Sequence, residues 1–143
     1  MVRTRAIIFD EIGRLLVQRH SHSERDFYRL PGGGVRFREK IEDCLVREIK
    51  EETGFDVKVG RLLWVRDFLD QSAYHSIEMF FLAKIAGGTF DPTPEGRNID
   101  LEFLDVEDLE QVVFYPKKFL PKLKILKKNK EWIDENPYIR SAN

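Results

Sequence analysis

The chain has 143 residues, 42% of them apolar and 34% charged, with 24 basic against 25 acidic side chains and a formal net charge of −1. That length fits one domain over residues 1–143 with a sizeable core, and the balanced charge excludes a global field drawing the protein to nucleic acid or membrane. One cysteine, Cys44, excludes an intrachain disulfide and points to a reducing compartment, and no run approaches the ~20 apolar residues of a membrane span.

The opening MVRTRAIIFDE has too short an apolar run for a secretory leader, so the cytoplasm is the expected location. Residues 4–10 read as a strand, with Ala6, Ile7, Ile8 and Phe9 buried on both faces. Ile12-Gly13 turns the chain, and residues 14–19 return as the hairpin partner. Residues 20–26 read as a polar loop, and residues 27–30 as a short strand. Leu30-Pro31-Gly32-Gly33-Gly34 then breaks the pattern, its glycines allowing close backbone approach to a ligand.

After the glycines, Ile41, Leu45 and Ile49 recur at the spacing of a buried helical stripe. Glu48, Glu51 and Glu52 crowd the end of this helix, and Gly54 closes it as a C′ residue. Like charges at spacings of three or four cost roughly 0.2–0.5 kcal/mol per pair, whereas a hard divalent cation that takes oxygen ligands reverses the sign. Three carboxylates beside a glycine turn suit Mg²⁺ or Mn²⁺, and Arg47 supplies a fixed positive charge to orient one of them. Cys44, beside Leu45, reads as a small packing residue.

Residues 56–68 and 74–86 read as two long strands, with Gly87-Gly88 breaking the second. Residues 90–98 form a Pro-rich irregular loop, and residues 99–104 a last strand. Asp105 caps a short helix, with Asp108 three residues on resembling a capping box. A second helical region follows through Pro116 and Pro121, with Leu120, Leu123 and Leu126 inward. It carries seven lysines between Lys117 and Lys130 and no acid, read as a solvated face rather than an RNA patch.

From Gly33 the chain runs glycine, five residues, Glu39, seven residues, then Arg47-Glu48-Ile49-Lys50-Glu51-Glu52-Thr53-Gly54-Phe55. This resembles the Nudix box, G-x5-E-x7-R-E-U-x-E-E-x-G-U, with every specified position filled. The resemblance implies an α/β fold, an α/β/α sandwich with a central mixed β-sheet. It implies hydrolysis of the pyrophosphate linkage in a nucleoside diphosphate joined to another moiety, with Mg²⁺ or Mn²⁺ as cofactor. Glu48, Glu51 and Glu52 would hold the metal, with the backbone carbonyl of Gly32 completing the shell. Glu39 would tie the loop to Arg47 or reach a metal through water. Relatives place a further acid before the last strand: Glu95 is the first choice as general base, with Glu102 the alternative. Catalytic work is thus expected from Glu51, Glu52, Glu95 and Arg47, and a structural loop from Gly33, Glu39 and Gly54.

Arg19, Phe27, Tyr28 and Arg29 flank the glycines as candidates for stacking a base or holding phosphate. Arg36 and Arg38 stand where relatives have an acid and a glycine, and Arg36 joins Arg19, Tyr28 and Arg29 in the expected substrate site. No proline lies between Pro31 and Pro92, which counts against the ADP-ribose class of relatives. The expected partners are a small nucleotide-diphosphate substrate and a second copy of the chain as a homodimer, without membrane or RNA. An RNA-processing or decapping enzyme and a non-catalytic nucleotide sensor are the alternatives. The complete set of box glutamates argues against the sensor.

Overall fold

The computed structural model describes residues 1–22, 25–94 and 98–140, the side chain of His22 apart. Strands β1 (Val2–Ile7) and β2 (Leu15–His22) set the plan, because side chains here alternate between two separate cores. Ile7, Leu15 and Val17 enter one core with Trp64, Phe80 and Phe119. Ala6, Ile8 and Leu16 enter the other with Leu45, Ile49 and Phe55. Strands apolar on both faces need cover on both. Helix α1 (Ile41–Thr53) brings Leu45 and Ile49 to one core, and α2 (Leu120–Lys128) brings Leu120, Leu123 and Leu126 to the other. The α/β class and its sandwich layering are those expected.

The strands divide into two sheets. The five-stranded sheet runs β4 (Gly32–Gly34), β1, β6 (His75–Gly88), β5 (Phe55–Leu69), β9 (Tyr138–Ile139). Within it β1 and β6 are parallel, β5 and β6 antiparallel. The four-stranded sheet runs β7 (Ile99–Leu104), β2, β3 (Arg25–Arg29), β8 (Phe114–Tyr115).

Three expectations about local elements need correction. The hairpin of residues 4–10 with 14–19 reduces to one bridge, Phe9 with Leu15, because β2 spends its ladder on β3 and β7 instead. The turn between them is held by Asp10, whose carboxylate accepts from the amides of Ile12 and Arg14 at 3.1 and 2.8 Å. The polar loop at 20–26 is largely a strand pair, with His20 stacked on its cross-strand partner Phe27 at 4.9 Å. Cross-strand packing there overrides the weak β-propensity of polar residues. Gly87-Gly88 does not end β6, since both glycines pair with the start of β5.

Asp105 precedes a short 3-10 turn, Val106–Gln111, without capping it; its carboxylate instead meets Lys127. Lys122 and Lys124 likewise pair with Asp134 and Glu110, so three of the lysines of the C-terminal region are neutralised by acids. Among the described residues no helix is long and apolar enough to cross a membrane.

Candidate active site

Arg47 is the centre of the acidic helix. Its Nε and Nη2 donate to the two oxygens of Glu39 at 2.7 and 2.9 Å, a two-point grip that only the planar guanidinium fork makes. Its Nη1 donates to Glu48 at 2.9 Å and to Glu51 at 3.4 Å, and Nη2 reaches the Gly34 carbonyl. The Arg47 guanidinium holds the Glu39 carboxyl well down, to about 2. Of the two roles expected for Glu39, the structure shows the tie from loop to helix.

Glu52 turns the other way. It is 7% exposed and accepts from the Gly32 amide at 3.0 Å. Burial pushes its carboxyl up to about 7, and the neighbouring charge of Glu48 adds to the rise. Among the described residues no three acidic, histidine or cysteine side chains converge in metal-binding array. The donor chemistry nevertheless fits a hard divalent cation. Two carboxylates one helical turn apart, one of them buried against the other's charge, are what such an ion would stabilise.

The glycines are there for space. Gly32 has φ +150°, and a Cβ on it would stand 1.9 Å from the Thr4 backbone oxygen. A Cβ on Gly33 would stand 2.3 Å from the Glu48 carboxyl carbon, so this position is kept open for the glutamate. Gly54 ends the helix at φ +82°, its amide bonded to the Lys50 carbonyl. Arg38 also has positive φ, +63°, which supplies the physical reason a glycine suits its position. Arg36 is exposed, with Nη2 3.9 Å from Glu51. Cys44 is buried between Thr4 and the carbonyls of Gly33 and Gly34, as a packing residue would be.

Register sorts the candidate substrate residues. Arg19 lies opposite Tyr28, while Gln18 and His20 lie opposite Arg29 and Phe27 on the other face. Arg19 is taken up by Asp100 at 2.6 Å and Glu102 at 3.1 Å, and Tyr28 packs on the first core. Neither lines the cavity. Glu102 is thereby occupied as an ion-pair partner, and Glu95 lies outside the described residues. Phe27 and Arg29 do line the cavity, a space of about 630 Å³ between the two sheets. Its other walls come from β1 (Arg3, Arg5), β5 (Arg66, Phe68), β6 (Ser76, Glu78, Phe80) and Tyr115. The alternation of β1, β5 and β6 signals these residues, but only once their pairing is known.

The ring of His20 accepts from Arg29 Nε at 2.9 Å. Burial, then the charges of Arg29 and Arg5, push its pKa down to about 4 from the usual 6.5. A folded pKa below the unfolded one means the neutral ring contributes stability above pH 6.5, lost as pH falls through about 4. Denaturant titrations are expected to show His20→Gln removing about 2 kcal/mol of the stability lost between those limits. An unchanged pH profile in the variant would refute this.

A two-sheet α/β sandwich, with a glycine loop and a glutamate helix gathered round one arginine, defines a structural class. The chain belongs to the NUDIX family: the NUDIX domain model matches residues 1–123. An ADP-ribose pyrophosphatase of Methanocaldococcus jannaschii is 34% identical over 107 residues, 74% of this chain and 62% of that protein. The NAD-capped RNA hydrolase NudC of Vibrio atlanticus is 33% identical over 99 residues, 69% of this chain and 35% of that protein. The chain thus spans less than two thirds of the length of either curated relative. Among solved structures, an ADP-ribose pyrophosphatase from Streptococcus suis is similar with a TM-score of 0.68 at 25% identity, covering 99% of this chain and 98% of that one. A UDP-X diphosphatase has a TM-score of 0.73 at 27% identity, covering 97% of this chain and 66% of that one.

Proposed function

We propose that the protein hydrolyses the pyrophosphate linkage of a nucleoside diphosphate joined to a second moiety, with Mg²⁺ or Mn²⁺, acting in the cytoplasm as one NUDIX domain over residues 1–143. The observation that carries this reading is the buried carboxylate of Glu52, held by the Gly32 amide one turn from Glu48. ADP-ribose, an NAD cap and a UDP-X compound, the substrates in the relatives' names, are each a nucleoside diphosphate bearing another group.

Glu48, Glu51 and Glu52 would hold the metal, with the Gly32 carbonyl as a further oxygen. The ion would neutralise the diphosphate and lower the pKa of attacking water. The chain's own residues do the positioning. Arg47 orients Glu48 and Glu51 through single hydrogen bonds and anchors the loop through Glu39. Arg36, beside Glu51, offers its guanidinium to a phosphate oxygen. Glu95 is assigned to orient the attacking water. Arg29 and Phe27 face the cavity where the substrate's second moiety would lodge. Arg19 and Tyr28, expected with them, lie on the opposite face and support that face of the sheet.

A phosphate-release screen over nucleoside triphosphates, nucleotide sugars, ADP-ribose and dinucleoside polyphosphates tests the reaction. Thermal melts test the metal independently of turnover. A ligand at 100-fold its dissociation constant stabilises the folded state by about 2.7 kcal/mol, so millimolar Mg²⁺ or Mn²⁺ is expected to raise Tm by about 5 °C or more. A melt unmoved by either ion would sink the metal assignment.

A further inference from the structure

The cavity between the sheets is cationic beyond what its own acids balance. Four arginines, Arg3, Arg5, Arg29 and Arg66, line it against two carboxylates, Asp70 and Glu78. The carboxylates are committed. Glu78, 6% exposed, is shared by Arg5 Nε at 3.0 Å and Arg66 Nη1 at 2.7 Å. Asp70 accepts from the Ser72 hydroxyl and from the amides of Ser72 and Tyr74.

Arg29 and Arg3 are left over. Among the described residues neither has a carboxylate within ion-pair distance: Arg29 donates to the His20 ring, and Arg3 reaches only the Met1 sulfur at 3.6 Å. A guanidinium carries five N–H donors, and this hydrogen bond uses one, so the rest of the Arg29 fork is free to face the cavity it lines. Burial, and then the charges of Arg5 and Arg3, lower the Arg29 pKa to about 10, outweighing the opposite pull of Glu52 and Glu78. The cavity adjoins the acidic site, since Arg5 pairs across the ladder with Gly32, whose amide donates to Glu52. Its walls are also aromatic: Phe27 meets Tyr115 edge-on at 5.9 Å, and Phe68 meets Tyr74 at 6.1 Å.

We infer that the moiety lodged in this cavity is a nucleoside bearing a phosphate monoester of its own, separate from the scissile diphosphate, and that Arg29 and Arg3 are the residues that select it. Two excess positive charges match one phosphate dianion, and the guanidinium fork matches its oxygens bidentately. The aromatic walls take the base. The inference rests on the hydrolase reading for where the diphosphate lies, but its test does not need turnover.

Calorimetric titration of the full chain with adenosine 2′,5′-bisphosphate and with AMP, in EDTA, reads the cavity without the metal. The bisphosphate is expected to bind about tenfold or more tightly, as charge-assisted hydrogen bonds to one phosphate would give. Arg29→Gln and Arg3→Gln are expected each to erase most of that preference while leaving the protein folded in thermal melts. Equal affinities in the wild type, or a preference retained in Arg29→Gln, would overturn the assignment. Inorganic phosphate binding as tightly as the bisphosphate would make the site one for free anions and overturn the nucleoside part. With Mg²⁺ present, NADPH is expected to be cleaved with higher kcat/KM than NADH. If neither is cleaved while the calorimetric preference stands, the hydrolase reading of these substrates fails and the cavity assignment survives.

Discussion

Glu52→Gln is expected to lower kcat by at least ~10³, a loss of about 4 kcal/mol in transition-state stabilisation. The amide keeps the size of the side chain and an oxygen to accept from the Gly32 amide, so the loop stays in place. What disappears is the negative charge one helical turn from Glu48, on which the affinity of the proposed metal site would depend. The same change removes a buried charge, whose carboxyl is pushed up to about 7 by burial first and Glu48 after it. The variant is therefore expected to melt at or above the wild-type temperature without metal, and to gain less from Mg²⁺. Glu95→Gln is expected to cost less, about 10²-fold, if it orients water only. Near-normal turnover of Glu52→Gln on the best substrate at saturating Mg²⁺ would remove Glu52 from its assigned role.

Gly32→Ala is expected to cost about 3 kcal/mol or more of folding stability. Its new methyl would stand 1.9 Å from the Thr4 oxygen and 2.9 Å from the Arg5 Cα, both main-chain atoms of β1. The β1–β4 ladder pairs Arg5 with Gly32, so the strand must part from its neighbour, and φ +150° adds strain of its own. Gly33→Ala makes the informative contrast. Its methyl meets the Glu48 carboxyl group, the far end of a side chain that can rotate away. The stability cost is expected to be about 1 kcal/mol, with kcat falling about 10²-fold as Glu48 leaves its proposed metal-holding position. Urea titrations and steady-state rates on the two variants separate the effects. A Gly32→Ala protein as stable as wild type, or a Gly33→Ala protein at full activity, would contradict the packing described.

The glycine loop, the box helix and its acids were legible without any structure, because each rests on short-range rules. A helical stripe such as Ile41, Leu45 and Ile49 repeats every four residues, and Gly54 is recognisable as the residue that takes a left-handed φ. The inward leucines of the last helix, Leu120, Leu123 and Leu126, followed from the same periodicity. Where two partners were open to Glu39, local pattern could not choose, and the structure shows Arg47.

Strand partnership was not legible in the same way. The stretch 14–19 alternates like the return arm of a hairpin, yet β2 joins β3 and β7, and its bond to the first strand shrinks to one bridge. Alternation tells which residues share a face, not which strand lies alongside, since that depends on contacts distant in sequence. The same reason decided the arginines. Arg19 and Arg29 look alike in sequence, each in a polar strand near the glycines. Cross-strand register sends Arg19 toward Asp100 and Glu102 and Arg29 into the cavity, where β1 and β5 add three arginines that no local pattern connects to it. The sequence by itself determined the acidic helix and its glycines, through turn chemistry and a period of 3.6 residues. Tertiary structure alone decided which charges the cavity between the sheets holds, because sheet pairing over long separations brings them together.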